Sequence, residues 1–342
     1  MRICIAVLIG LLVSFLVTPL TKKLAERWGV FDAPDERKVH KGIMTRLGGV
    51  GIYCGFIAGL LVYGEFSRLM IGLAVSATFI MAVGLYDDVK NISPKLKLLG
   101  QIIGAVIFIA FGAQLEYITN PLNGDLIHLG LWGYPITLFW LVGVCNAVNL
   151  IDGLDGLASG ISTIAALSLA VVSLAKGFTA SGAIALILVG SILGFLRYNF
   201  HPAQLFMGDC GALFLGFVLG ALSLMGLSDG ATMVALFIPI MVLGVPILDT
   251  CFAIIRRKLH HKPIFGADKG HLHHQLMERG LDHQDTVLLI YAFTFILGAL
   301  AVFVTLLPSL YSIIVLLIFL IVIVAGAAKI GIFSNGHDRG AH

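Results

Sequence analysis

Long hydrophobic segments alternate with short polar ones along almost the whole chain. An α-helix needs roughly 17–25 mostly apolar residues to cross the hydrocarbon core of a bilayer. We predict eleven spanning helices of about this length, at 3–21, 47–66, 69–86, 98–113, 135–150, 159–175, 179–196, 210–227, 231–255, 287–306 and 310–332. Pro239 and Pro246 lie inside the ninth segment, where we predict a kink or a break because proline removes a backbone hydrogen-bond donor.

The composition supports the same class of protein. Hydrophobic residues make up 58% of the chain and charged residues only 12%, whereas soluble domains carry roughly 25% charged residues. We therefore predict an all-α polytopic membrane protein. Residues 1–342 are expected to form a single domain, because no internal repeat or low-complexity linker is visible. The five cysteines lie in or beside apolar segments without metal-type spacing, which favours a packing role.

Lysine and arginine predict the orientation, because they favour the cytoplasmic side of a membrane. Nineteen of the 22 lie in the polar segments and span ends on one side of the predicted topology. We therefore expect the N-terminus outside and the C-terminus inside. Ten of the eleven histidines fall on the same inner side. On the outer side, the turn residues within 114–134 predict a short hairpin.

Five polar segments carry the candidate chemistry, and all five belong to one face. They are 31–49, 84–101, 146–157, 197–216 and 254–276. Two predicted spans separate each segment from the next, and an even number of crossings returns the chain to the same side. This conclusion holds whichever way the protein is inserted.

Acidic and amide side chains in these segments suit a divalent cation. Asp87 and Asp88 are adjacent at the end of an apolar span. Paired carboxylates repel one another, so the pair indicates a divalent-cation site or a proton acceptor, with a solvated helix end as the alternative. Asn149 and Asp152 are three residues apart and share a face on a helix, and oxygen ligands of this kind suit Mg²⁺. An Asn/Asp/Gly turn is the alternative there. Asp209 precedes an apolar run, where a helix N-cap is the alternative.

Cations, imidazoles and one aromatic side chain accompany the acids. The cations and imidazoles are Lys97, Arg256, Arg257, His271, His273 and His274. The run HLHH has no cysteine partner, so a phosphate- or sugar-binding loop is favoured over zinc, with a solvated basic loop as the alternative. Phe206 is either a packing residue or a platform for a stacked base.

Together these groups indicate transfer of a phosphoryl group on a lipid, because metal and cations neutralise charge while the protein positions the reactants. No GxxxxGK[ST] loop is present, so ATP handling through a P-loop is disfavoured. A secondary transporter is the alternative of another class. Transporters hold their key polar groups near the midplane, whereas these groups cluster at one interface.

The chain resembles the polyprenyl-phosphate N-acetylhexosamine-1-phosphate transferase superfamily. It is most similar to the bacterial undecaprenyl-phosphate N-acetylglucosamine-1-phosphate (GlcNAc-1-phosphate) transferases. The resemblance spans the chain and depends on GLYDDVKNISPKLKLLGQ, NAVNLIDGLDGLASG, NFHPAQLFMGDCG and HLHHQL. It implies attack by undecaprenyl phosphate on the β-phosphate of a UDP-N-acetylhexosamine, with release of UMP and a requirement for Mg²⁺ or Mn²⁺. It further implies a multi-pass protein of the bacterial cytoplasmic (inner) membrane whose cytoplasmic-face product starts cell-envelope glycan synthesis, such as lipopolysaccharide or teichoic acid. Nucleic acid is not an expected partner, and a homodimer is an assembly that such proteins often form.

The resemblance also implies roles for individual residues. Asp209 matches the main Mg²⁺ ligand and Asn149 a second one. Asp87 matches the base or the group that orients the lipid phosphate, and Asp88 its partner. Asp152 matches the residue that contacts the uracil, and Phe206 matches the residue that stacks on the uracil. The matching basic positions are His271, His273 and His274 of the sugar–pyrophosphate loop, and Arg37, Lys38, His40 and Arg46 of a first basic loop.

Three points stay open at this stage. Asp249 fits the family pattern without an assignable role. Ala212 and Thr45 replace a serine and a proline found in many relatives. The phospho-MurNAc-pentapeptide transferases are the alternative within the superfamily, although they usually carry three consecutive histidines where this chain reads HLHH.

Overall fold

A computed structural model of the protein describes residues 1–32, 44–119, 126–225, 234–259 and 270–307, together with 314, 315 and 318. The described part is almost entirely helical. Its helices are α1 Arg2–Trp28, α2 Gly48–Tyr63, α3 Arg68–Lys90, α4 Pro94–Ala110, α5 Gly133–Ile151, α6 Leu157–Ala175, α7 Thr179–Asn199, α8 Gly208–Met225, α9 Val234–Val242, α10 Gly244–Leu259, α11 Leu272–Glu278 and α12 His283–Thr305. Its strands are β1 Phe31–Asp32, β2 Met44–Thr45, β3 Tyr117–Thr119 and β4 Leu126–His128.

The first ten predicted spans each coincide with helical structure. The proline-containing segment 231–255 forms two helices, α9 and α10, which meet at Leu243, so the predicted break is confirmed. Seven of the described helices are long and apolar enough to cross a membrane, and α2 is a shorter apolar helix. The eleventh predicted span, 310–332, lies almost wholly outside the described residues.

The predicted hairpin within 114–134 is confirmed. Strands β3 and β4 pair antiparallel, with Tyr117 opposite His128 and Thr119 opposite Leu126. A second short pair joins β1 to β2, with Phe31 opposite Thr45. Both pairs lie in connections between helices, so the fold is helical with two small β-ribbons.

Helix α8 forms the centre of the described bundle. Almost all of its side chains are buried, and it packs against α2, α3, α5, α6 and α7. The crossing with α3 is very close, since a Cβ atom added to Gly84 would lie 2.5 Å from the Cα of Cys210. Small residues permit such backbone contact between membrane helices. The crossing brings the acidic end of α3 beside the start of α8.

Candidate active site

Asp87, Lys97, Asn149 and Asp209 form one polar cluster at the ends of α3, α4, α5 and α8. The ammonium Nζ of Lys97 lies 3.0 Å from Oδ2 of Asp87 and 2.9 Å from Oδ1 of Asp209. The amide of Asn149 donates a hydrogen bond to the same oxygen of Asp209. Residues separated by up to 122 positions in the chain therefore meet around one carboxylate.

The local sequence explains how Lys97 reaches this cluster. Ser93 caps α4 by accepting a hydrogen bond from the amide of Leu96, and Pro94 occupies the first turn, where its missing N–H is harmless. The connection from α3 is short, and the amide of Ile92 donates to Oδ1 of Asp87 at 2.9 Å. Lys97 lies one turn into α4, so its side chain can reach back to Asp87.

In the described structure, Asp88 has a different role from Asp87. Its two carboxylate oxygens accept hydrogen bonds from the backbone amides of Asp209 and Cys210, at 2.8 and 2.9 Å. These amides belong to the first turn of α8, which has no intrahelical acceptor for them. Asp88 therefore caps α8 from another helix, and leaves the carboxylate of Asp209 directed toward Lys97 and Asn149.

Asp152 terminates α5 and begins a turn that runs to Gly156. Burial, followed by the negative charges of Asp209 and Asp88, raises the pKa of the Asp152 carboxyl to about 7. The charge of Arg46 acts in the opposite direction. Asn149 thus lies in the last turn of α5, whereas Asp152 lies in the turn that was the alternative interpretation of the sequence.

The next acid in this turn, Asp155, belongs to a separate hydrogen-bonded network. Its Oδ2 lies 2.9 Å from Nδ1 of His201 and accepts from the amide of Ala203 at 3.1 Å, while its own amide donates to Nε2 of His283 at 3.1 Å. The three side chains are close enough to suggest a metal site. However, the two imidazoles are stacked 4.4 Å apart and nearly parallel. The in-plane lone pairs of such rings do not converge on one ion, so we interpret the network as a structural link between α12 and two loops.

The HLHH run forms the start of α11, and Asp249 of α10 holds it in place. Oδ2 of Asp249 lies 2.7 Å from Nδ1 of His271, and Oδ1 accepts a hydrogen bond from the amide of Leu272 at 2.8 Å. The ring of His273 is buried and faces Gly153, and its two nitrogens have no hydrogen-bond partner among the described residues. Burial, followed by the neighbouring His274, lowers the pKa of His273 to about 3, so this ring is neutral near pH 7.

The remaining predicted basic residues are only partly described. Arg256 and Arg257 are buried in the last turns of α10, and the guanidinium of Arg256 packs against Gly270. Arg46 forms a parallel bridge with Phe206, and the amide of Phe206 donates to the carbonyl of Thr45 at 2.8 Å. Arg37, Lys38 and His40 lie outside the described residues.

Sequence reasoning did not find three of these pairings. Asp88 with the start of α8, Asp249 with His271, and Asp155 with His201 all join distant parts of the chain. Asp249 carried one signal, because it lies several residues inside an apolar predicted span, and a carboxylate there needs a partner. The partner itself could not be read from the sequence.

The polar side chain of Asn146, at the start of the segment 146–157, is explained by a contact between two helices. Its amide and that of the buried Gln101 donate to each other's oxygen, which links α5 to α4. Paired side-chain amides satisfy one another in an apolar environment. Asn146 therefore supports the helix that carries Asn149.

Comparison with known proteins finds one family and several relatives with related names. Residues 70–227 match the family described as glycosyl transferase family 4. The chain is similar to a Bacillus subtilis protein named "Probable undecaprenyl-phosphate N-acetylglucosaminyl 1-phosphate transferase", with 43% identity over 94% of this chain and 91% of that protein. It is 33% identical to a Mycolicibacterium smegmatis "Decaprenyl-phosphate N-acetylglucosaminephosphotransferase", over 83% of this chain and 78% of that one. An Escherichia coli "Undecaprenyl-phosphate alpha-N-acetylglucosaminyl 1-phosphate transferase" is 27% identical, over 81% and 78% of the two chains.

Proposed function

The chain belongs to glycosyl transferase family 4, and from that premise we propose that it transfers GlcNAc-1-phosphate from UDP-GlcNAc to undecaprenyl phosphate. UMP is released, and the undecaprenyl-pyrophosphoryl sugar that remains starts the synthesis of a cell-envelope glycan. The names of the similar proteins support the substrates. The observation that carries the proposal is the cluster of Asp87, Lys97, Asn149 and Asp209, which joins the ends of four helices.

The donor set of this cluster suits Mg²⁺, with Mn²⁺ as an alternative. Carboxylate and amide oxygens are ligands that Mg²⁺ prefers, and the side chains of Asp209 and Asn149 lie in contact through the NH₂ group of Asn149. Turning this amide over would direct its oxygen toward an ion bound by Asp209. The ammonium of Lys97 lies between two carboxylates there, which indicates that the position favours positive charge. We assign Asp209 and Asn149 as the ligands. When bound, the ion would neutralise charge on the pyrophosphate.

The chemistry requires alignment more than a strong base, because a phosphate monoester is largely ionised near pH 7. An oxygen of the lipid phosphate forms a bond to the β-phosphorus of UDP-GlcNAc, and the bond from that phosphorus to the bridging oxygen of UMP breaks. We assign Asp87 and its partner Lys97 to the orientation of the attacking phosphate. Asp88 would act indirectly, by fixing the start of α8 and hence Asp209.

The nucleotide and sugar would occupy the adjoining surface. We assign the uracil to Asp152 and Phe206, which lie at the turn after α5 and beside the end of the first basic loop. Cations and imidazoles would bind the pyrophosphate and the sugar, and these are Arg46, Arg256, Arg257, His271, His273 and His274, with Arg37, Lys38 and His40 of the first basic loop. This division follows the resemblance of each position to the family pattern.

The membrane arrangement that we propose has eleven spans, the N-terminus outside and the C-terminus inside. The site then lies at the cytoplasmic surface of the bacterial inner membrane, where both the UDP-sugar and the lipid phosphate are accessible. Its polar side chains lie at helix ends, as expected for an interface. A transporter would instead place them near the midplane.

UMP release by the purified full-length chain tests the function. In lipid nanodiscs with undecaprenyl phosphate and UDP-GlcNAc, we expect release that requires Mg²⁺ and is abolished by a chelator. Asp209→Asn should reduce turnover by on the order of a hundredfold or more, because it removes a charged ligand. Glu116→Gln, an exposed site beside the hairpin at the far end of α4, is the matched control and should leave turnover unchanged.

Three results would contradict the proposal. Metal-independent turnover would exclude the assigned role of Mg²⁺. Turnover of UDP-MurNAc-pentapeptide in place of UDP-GlcNAc would identify the alternative transferase. Proton-coupled flux in vesicles without UMP release would favour a transporter.

A further inference from the structure

Asp249 lies on α10 and is almost completely buried. Each of its carboxylate oxygens has a partner on the segment that starts α11, since Oδ2 contacts the ring nitrogen Nδ1 of His271 and Oδ1 accepts from the amide of Leu272. His271 is itself buried, with 7% of its surface exposed. The carboxylate therefore acts on its surroundings through these two contacts.

We propose that Asp249 is a positioning residue that fixes the tautomer and orientation of His271, so that Nε2 is the ring atom offered to the phosphates of the UDP-sugar. The inference depends on the proposed function, because it assigns a ligand to that same site. Nδ1 must carry a proton to bond with a carboxylate, since two lone pairs cannot pair with each other. The ring can then turn only Nε2 toward a ligand.

The electrostatic setting supports a role in phosphate binding. A phosphate oxygen accepts hydrogen bonds, so Nε2, which has only a lone pair in the free ring, must take up a proton as the UDP-sugar binds, while Nδ1–H remains bound to Asp249. The negative charge of Asp249 offsets the positive charge that the ring then carries. His273 lies parallel to His271 with ring centroids 6.0 Å apart, and His274 follows it. Arg256 packs against Gly270, immediately before His271.

A simple capping role does not account for the pair. An N-cap needs one acceptor, which serine, threonine or asparagine supplies as well as aspartate. Here the second oxygen makes a short contact of 2.7 Å with a buried imidazole. Paired carboxylate and histidine side chains are a general means of fixing which ring nitrogen meets a ligand.

Asp249→Asn separates the two roles. Its carbonyl oxygen can still accept from the amide of Leu272 and so preserve the cap. Its NH₂ group would face Nδ1 of His271, which would become an acceptor and move the proton to Nε2 in the neutral ring. If the residue only caps α11, this variant should behave like the wild-type protein. If it positions His271 and offsets its charge, we expect turnover to fall about 10- to 100-fold, because a neutral Nε2–H ring opposite asparagine offers the phosphate no positive charge.

The tautomer can be observed without measuring activity. In ¹⁵N-histidine-labelled protein without UDP-sugar, we expect the ¹⁵N shifts of His271 to exchange their Nδ1 and Nε2 assignments in Asp249→Asn. The signals of His271 are identified as those missing from His271→Asn. Unchanged shifts in Asp249→Asn would overturn the inference, whatever its turnover.

A double-mutant cycle provides the kinetic test. His271→Asn keeps an N–H group near Asp249 but has no atom at the position of Nε2. We expect Asp249→Asn to cause no further loss of turnover in that background. Full additivity of the two losses, or wild-type turnover in Asp249→Asn alone, would overturn the inference. Should Asp249→Asn fail to fold, the ¹⁵N shifts of His271 in the wild-type protein without UDP-sugar decide the point: a proton on Nδ1 supports the inference, and a ring protonated only at Nε2 contradicts it.

Failure of the inference is distinct from failure of the proposed function. A wild-type chain that releases no UMP from UDP-GlcNAc would contradict the function. A wild-type chain that is active, together with an Asp249→Asn variant of equal activity, would contradict only the role of Asp249.

Discussion

At the scale of single residues, Asp152 links the environment of the site to a measurable property. Its pKa is raised to about 7 by burial and then by the charges of Asp209 and Asp88. In the unfolded chain the pKa of an aspartate is about 3.9. The folded protein therefore holds a proton on Asp152 over a pH range in which the unfolded chain has released it.

The sign of the resulting pH dependence follows directly. A carboxyl with a raised pKa contributes stability that is fully present below about pH 4 and is lost as the pH rises to about 7. Asp152→Asn cannot ionise, so the Tm of this variant minus that of the wild type should increase between pH 5 and 7.5. Thermal unfolding in detergent without Mg²⁺ or nucleotide measures it. A constant difference across this range would contradict the raised pKa.

His273 provides a control, because its contribution to stability should change with pH in the opposite direction. Its pKa is lowered to about 3 by burial and by His274, so its contribution to stability is present above about pH 6.5 and is lost as the pH falls. The Tm of His273→Gln minus that of the wild type should therefore increase as the pH is lowered from 7 to 5. If the two Tm differences changed with pH in the same direction, ionisation of Asp152 and His273 would not explain them.

At the scale of secondary-structure elements, the start of α8 depends on an acid from α3. Asp88 accepts the first-turn amides of Asp209 and Cys210, and an N-terminal turn that loses such a cap is weakened by about 1–2 kcal/mol. The approach is close, because a Cβ on Gly208, where φ is +77°, would lie 2.6 Å from Oδ2 of Asp88. The cap thus needs both the carboxylate and the glycine.

We expect Asp88→Asn and Gly208→Ala to have the same effect from opposite sides of this contact. Each should increase hydrogen exchange at the amides of Asp209 and Cys210 and lower kcat, with a smaller change in the KM for UDP-GlcNAc. The reason is that both changes displace Asp209 without touching the substrate. Mass-spectrometric hydrogen exchange and UMP release provide the measurements. If Asp88→Asn lost turnover but kept normal hydrogen exchange at these amides, Asp88 would instead contact the substrate directly.

The hydrophobic pattern predicted the elements well because length and continuity decide whether a segment can span a bilayer. It also located the break between α9 and α10, since proline acts locally. The partners of Asp88 and Asp249 were not predictable in the same way. These contacts span 121 and 22 residues, respectively, and they depend on how helices cross. The sequence identified the side chains at the site, whereas packing decides which of them reach one another.

At the scale of the whole molecule, contacts between distant helices hold the site and the turn beside it together. Lys97 joins Asp87 to Asp209, and Asp155 joins His201 to His283. Further along the same turn as Asp155, Gly156 accepts a hydrogen bond from the hydroxyl of Tyr291 on α12. These contacts hold the turn 152–156 against several parts of the bundle. The position of the HLHH segment depends on this turn, because His273 packs on Gly153.

Gly153→Ala tests whether that docking determines activity. A Cβ at Gly153 would lie 2.5 Å from Nε2 of His273, so the ring and the start of α11 must move. Misplacement of binding groups by about 1 Å can reduce turnover by about 10²-fold, and we expect a loss of roughly 10- to 100-fold in the kcat/KM for UDP-GlcNAc. Gly143→Ala on α5 is the matched control, because its Cβ would meet nothing within 4 Å. It should keep wild-type kcat/KM, and equal kinetics of the two variants would show that the contact between the turn and the HLHH segment does not position the substrate.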